Sequence, residues 1–195
     1  MPAIARDSLL TLEAYAKERS AFRARVLAHK RNRIVHLGPH VTLLFEDELT
    51  IRYQIQEMLR IEKTFDEAGI QQEVDAYNPL VPDGSNLKAT MLLEYEDADA
   101  RHAALAQLRG IEDHVFMRVA GFPVVQAIAD EDLDRENEEK TSSVHFLRFE
   151  LDPSMKKALS AGSNIRMGVD HPAYHATVDP VAGPVRESLL KDLTF

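Results

Sequence analysis

Between Ser143 and Leu151 the chain alternates without interruption: His145, Leu147, Phe149 and Leu151 fall on one side, and Val144, Phe146, Arg148 and Glu150 on the other. A two-residue period is the mark of a strand with one face against a core. Ala89, Met91, Leu93 and Tyr95 repeat the pattern against Thr90, Leu92 and Glu94, and Val115, Met117 and Val119 repeat it against His114, Phe116 and Arg118. Shorter strands are expected at Ile34 to Leu37 and Val41 to Phe45, around a Gly38-Pro39 turn, and in the apolar stretch Phe122 to Ile128. Two more, Ile165 to Val169 and Tyr174 to Val178, flank a turn through His171-Pro172.

Helical periods dominate the N-terminal part. Asp7 or Ser8 can cap a helix to about Arg31, with Leu12, Tyr15, Phe22 and Val26 at helical spacing. A second helix is predicted from about Asp47 to Ala68, stopping at Gly69. At about 100° per residue, Ile51, Ile55, Met58, Ile61 and Phe65 gather on one side of it, with Gln54 and Glu62 in the middle of that apolar face. A carboxylate buried there must find a cation, a donor, a metal or a proton. Shorter helices are expected from Ala98 to Leu108, near Pro153, and from Pro184 to Leu193. The order implies an α+β fold in which long N-terminal helices pack on a largely antiparallel sheet. We expect a single compact domain over residues 1–195, with a helical part, 1–78, and a mixed sheet part, 86–195, joined by the Pro-rich connector Tyr77 to Gly84.

Composition narrows the function classes. The 195 residues contain no cysteine, which excludes disulfides, iron–sulfur ligation and thiolate chemistry, so any metal would be held by His, Asp and Glu. No apolar run approaches the roughly 20 residues of a membrane span, and the N-terminus lacks a secretory signal, so a cytoplasmic location is expected. A net charge of −9 disfavours nucleic-acid binding, although Lys17 to Arg33 carries +6 and the remainder −15. Asp130 to Glu139 holds seven acids and one arginine. These opposite patches could attract each other, within the molecule or between copies in a homo-oligomer, or serve as docking surfaces.

Two sets of residues could carry chemistry. Glu94, Arg118, Arg148 and Glu150 recur on the less apolar strand faces. If the second helix covers such a face, Gln54, Glu62, Arg118, Arg148 and Glu150 form a buried polar network, with Glu57, Glu62 and Arg148 as catalytic candidates. The other set is the histidine pairs His36/His40 and His171/His175, each four residues apart, the second beside Asp170. Each pair encloses a proline, so helical convergence on one ion is not expected. Two turns could still bring one histidine each to a shared Fe, Mn or Zn with Glu57, Glu62 or Asp170. Phosphate-binding glycine loops and a Gly-x-Ser-x-Gly elbow are absent.

The stretches Glu46 to Glu62, Ala76 to Met91, Lys140 to Leu151 and Gly168 to His175 resemble a bacterial family of unknown function, number 3501 in the domain-of-unknown-function series. The resemblance runs over nearly the whole chain and carries over no catalytic residues. It implies a genomic setting beside rubrerythrin and a cysteine-rich iron–sulfur protein, and so a part in oxidative-stress defence. Three readings follow. The first is an accessory protein that docks on an iron–sulfur protein and a rubrerythrin-like protein, without an iron–sulfur cluster of its own. The second is a His/carboxylate metal-dependent enzyme, and the third a small-molecule module that binds an anion.

Overall fold

The two-residue periods become two antiparallel sheets. The computed structural model describes residues 3–131, 135 and 139–195; most of the acidic stretch predicted as a docking surface, 132–134 and 136–138, lies outside the described residues. The strands are β1 (Ile34–Leu37), β2 (Val41–Glu46), β3 (Asn86–Leu93), β4 (Val115–Val119), β5 (Val124–Gln126), β6 (Ile128–Ala129), β7 (Val144–Glu150), β8 (Ile165–His171) and β9 (Tyr174–Val178). One sheet has the order β1-β2-β3-β7-β6 and the other β5-β4-β8-β9. The expected single sheet is thus two, and a core lies between them. Leu43, Phe45, Leu87, Met91, Leu147 and Phe149 meet Met117, Val119, Ile165 and Met167 there, all essentially inaccessible.

The sheets are joined on both sides. β5 runs directly into β6 through Ala127, whose N–H donates to Val115 O at 2.9 Å. Opposite, the Tyr174 hydroxyl on β9 donates to Leu37 O at 2.6 Å and accepts from His40 N at 3.1 Å. Gly38 makes that closure possible: its φ is +72°, and a Cβ there would stand 2.6 Å from the Tyr174 hydroxyl. β1 and β2, although they fall within residues 1–78, belong to the same sheet as β3 and β7, so the helical part is a layer on this sheet rather than a separate unit.

That layer contains α1 (Leu12–Lys30), α2 (Glu48–Glu62) and α3 (Glu67–Tyr77). Three local details differ from expectation. Asp7 and Ser8 form a 3-10 turn, and the cap of α1 is Thr11, which accepts from Ala14 N at 3.2 Å. The predicted helix from Asp47 to Ala68 divides, because Lys63 adopts the left-handed conformation (φ +54°) that ends α2, and Asp66 caps α3 by accepting from Gly69 N at 2.8 Å. Gly69 therefore sits in the first turn of a helix, not at its stop. Third, the connector is held by Asn78, whose side chain exchanges two hydrogen bonds with the backbone of Ile4. The helical layer has its own small core of Ile4, Ile51, Ile55, Leu59, Val74 and Val81.

The buried face of α2 is not the one predicted. Thr50, Ile51, Ile55, Gln56 and Leu59 face inward, while Ile61 and Phe65 are 60% and 80% exposed. Glu62, expected inside, lies exposed on the last turn of α2. Gln54 is half-buried, and the buried amide is that of Gln56, which accepts from Leu10 N at 2.7 Å and donates to Leu10 O at 3.2 Å. The basic stretch is also not uniformly solvated. Arg33 is 1% exposed, donates to Phe45 O and Glu46 O at 2.9 Å each, and forms an ion pair with Asp192 near the C-terminus. The remaining helices are α4 (Ala98–Gln107), α5 (Pro153–Ser160) and α6 (Gly183–Leu189). No helix among the described residues is long and apolar enough to cross a membrane.

Candidate functional site

Antiparallel register lines up Glu46 (β2), Lys88 (β3) and Arg148 (β7) as cross-strand neighbours on the outer face of the five-stranded sheet. Side chains at paired positions share a face, so this charged row points toward the helical layer. Where α3 arches over it, a groove of about 560 Å³ remains open. Met58, Tyr77, Leu80 and Phe146 supply apolar walls; Glu73, Glu131 and Arg135 complete the polar lining.

These groups are not equally engaged. Arg148 donates from Nε and Nη2 to the two oxygens of Glu131, each at 2.7 Å, and from Nη1 to Glu150. The hydrogen bonds from Arg148 hold the Glu131 carboxyl below its ordinary pKa. Glu46 accepts from the hydroxyls of Thr50 and Thr90, at 2.5 and 2.7 Å. Arg135 donates to Asp130 at 3.1 Å and lies 4.6 Å from the centre of the Phe146 ring. Lys88 and Glu73 differ. The Lys88 ammonium has one hydrogen bond among the described residues, to Pro79 O, and burial lowers its pKa. Glu73 has no hydrogen-bond partner among the described residues, and burial, followed by the charge of Glu62, raises its pKa.

Behind the groove lies a polar cluster inside the sheet core. His145 is 0% exposed, with Nδ1 at 2.6 Å from Asp130 Oδ2. Its Nε2 stands 3.0 Å from both Thr141 Oγ1 and Ser142 O, and 3.7 Å from Glu112 Oε2. The other oxygen of Asp130 accepts from Phe146 N at 2.9 Å and from Arg135, so this carboxylate connects the groove wall to the buried imidazole. Glu112, Asp130 and His145 are the three-residue His/carboxylate set close enough to share an ion among the described residues. As it stands the set is hydrogen-bonded: two ligands of one tetrahedral zinc, at bonds of about 2.0–2.1 Å, stand roughly 3.3 Å apart, well beyond 2.6 Å.

The residues singled out from sequence are dispersed. Arg148 and Glu150 pair on the sheet face, but Arg118 belongs to the other sheet, exposed, with its Nε on Phe122 O at 2.9 Å, and Glu62 is exposed. The reason is strand order: the strands carrying Arg118 and Arg148 lie in different sheets. Glu57 pins α1 to α2, accepting from Tyr15 Oη at 2.6 Å, Arg19 at 2.8 Å and Arg60 at 3.1 Å. His36 bonds Thr42 Oγ1, His40 bonds Glu94 O and stacks on Tyr95, His171 faces Arg109 O, and His175 pairs with Asp170. None of these four histidines joins a three-residue ligand set among the described residues. The residue missed was His145. The alternation placed it on an apolar face, and the argument that a buried polar group needs partners applied to it as much as to Glu62.

A family model described as a protein of unknown function, DUF3501, matches residues 3–193. The chain belongs to the DUF3501 family. A solved structure of a protein of unknown function from Burkholderia pseudomallei is 60% identical to this DUF3501 chain, spans 99% of it and 100% of its own length, and superimposes with a TM-score of 0.94. No curated protein matches this DUF3501 chain.

Proposed function

We propose that this protein is a small-molecule-binding module whose ligand occupies the groove between α3 and the outer face of β3 and β7. The observation that carries this reading is a cavity of about 560 Å³, within the size range of ligand pockets, with apolar walls and two polar groups short of partners, Lys88 and Glu73. A ligand that fits has an apolar body, an anionic or acceptor group for Lys88, and a donor for Glu73. Thermal-shift screening of amphipathic acids and zwitterions tests it. A binder should raise the melting temperature of the wild type, and Lys88→Met should abolish that rise. A rise that persists undiminished in both Lys88→Met and Glu73→Gln places the ligand elsewhere.

A second reading is the accessory role that the family resemblance implies, beside an iron–sulfur protein and a rubrerythrin-like protein. What supports a docking surface is α1, a 19-residue helix that buries Tyr15 and Val26 and leaves Lys17, Arg23 and Arg25 exposed. Such a face suits an acidic partner. Charge reversal at Arg23 and Arg25 should abolish co-purification with such partners; unchanged recovery sinks the reading.

A further inference from the structure

Arg118 on β4 and Arg166 on β8 are directly opposed in the antiparallel ladder of the four-stranded sheet, so both side chains leave its outer face. Like charges in that relation destabilise a sheet. Neither arginine has an ion-pair partner among the described residues. Arg118 commits Nε to Phe122 O. Arg166 lies over the ring of Phe116, 5.8 Å from its centre, and its Nε is buried without a hydrogen-bond partner. Among the described residues it is the one buried side-chain polar atom so left, and a buried donor without a partner destabilises the fold.

Both arginines line a cavity of about 160 Å³ with Ala120, Gly121, Asn164 and Asp179. At about 30 Å³ per water molecule, that is room for roughly five waters, or for one tetrahedral oxyanion with part of its hydration. A guanidinium fork matches the oxygens of such an anion, whose charge would offset the repulsion between the two arginines. Asp179 adds selectivity. An ionised carboxylate only accepts hydrogen bonds, so it tolerates an anion that carries a hydrogen and repels one that does not. Hydrogen phosphate carries one at neutral pH. Sulfate does not, and a phosphate monoester is largely a dianion without one.

We propose that Arg118, Arg166 and Asp179 form a site for inorganic hydrogen phosphate on the outer face of the four-stranded sheet. It is independent of the groove between α3 and the five-stranded sheet. Two-dimensional amide NMR of the full chain, titrated at constant ionic strength with phosphate, sulfate or phenyl phosphate, tests it. Phosphate should shift the amides around Arg118, Gly121, Asn164 and Arg166, with sulfate and phenyl phosphate weaker. Arg166→Gln and the fully surface-placed Arg118→Gln should each weaken phosphate binding at least about tenfold, the loss of one charge-assisted hydrogen bond. Asp179→Asn should bring phosphate and sulfate to similar affinity. Equal binding of phosphate and sulfate by the wild type, or phosphate shifts that survive Arg118→Gln undiminished, would overturn the proposal.

Discussion

Glu57 shows how much one carboxylate can hold. Three donors from two helices converge on it, and the Arg19 guanidinium, with help from Tyr15 and Arg60, lowers its pKa to about 2 from an ordinary 4.5. A depressed carboxyl adds stability that is complete above the ordinary value and lost as pH falls through the folded one. Arg19 is 37% exposed, so solvent screens part of this effect. Glu57→Gln should therefore cost about 1–2 kcal/mol at neutral pH. In urea titrations, the gap between wild type and variant should narrow as pH falls from 4.5 toward 2; a constant gap would assign the loss to packing instead.

At the scale of elements, the break between α2 and α3 decides what the helical layer presents to the sheet. It rests on Lys63 holding a left-handed conformation, φ +54° and ψ +39°, that suits glycine better than any residue with a Cβ. Lys63→Gly should raise stability by up to about 1 kcal/mol, read as a higher urea midpoint at unchanged slope. A lower midpoint would show that the lysine side chain contributes more than the strain removes. The same break explains why Phe65 lies outside the helix, while Ile61 and Glu62 stay exposed on the last turn of α2. A residue's position on a helical wheel has meaning only within one continuous helix, and four non-helical residues, 63–66, reset the phase. The alternating strands were more legible, because a two-residue period survives small errors of boundary and a wrong register would turn the whole apolar set to water.

Over the whole molecule, the C-terminal segment is tied to the first hairpin through Arg33. This side chain meets Asp192 from the C-terminal segment, and Asp47 at 3.4 Å, the residue that caps α2 and lies 2.5 Å from His29 Nε2. Burial pushes the Asp192 carboxyl up to about 6, outweighing the pull of Arg33. A raised carboxyl contributes stability that is complete below its ordinary 3.8 and fades as pH rises through about 6, opposite in sign to Glu57. Asp192→Asn should flatten the fall in stability between pH 4 and 7, measured by denaturant unfolding across that range; an unchanged slope would place the titration elsewhere.

What the chain determines by itself is local: which face of each strand is apolar, that a helix begins near Asp47, that cysteine chemistry is excluded, and which polar residues would need partners if buried. The partners themselves came only with tertiary structure. Asp130 reaches His145 because β6 pairs with β7, and Arg118 faces Arg166 because β4 pairs with β8. Glu46, Lys88 and Arg148 form one row because β3 lies between β2 and β7. Strand order and register join residues that sequence separation does not relate, and it is the shared burial of both sheet faces, not local propensity, that selects them.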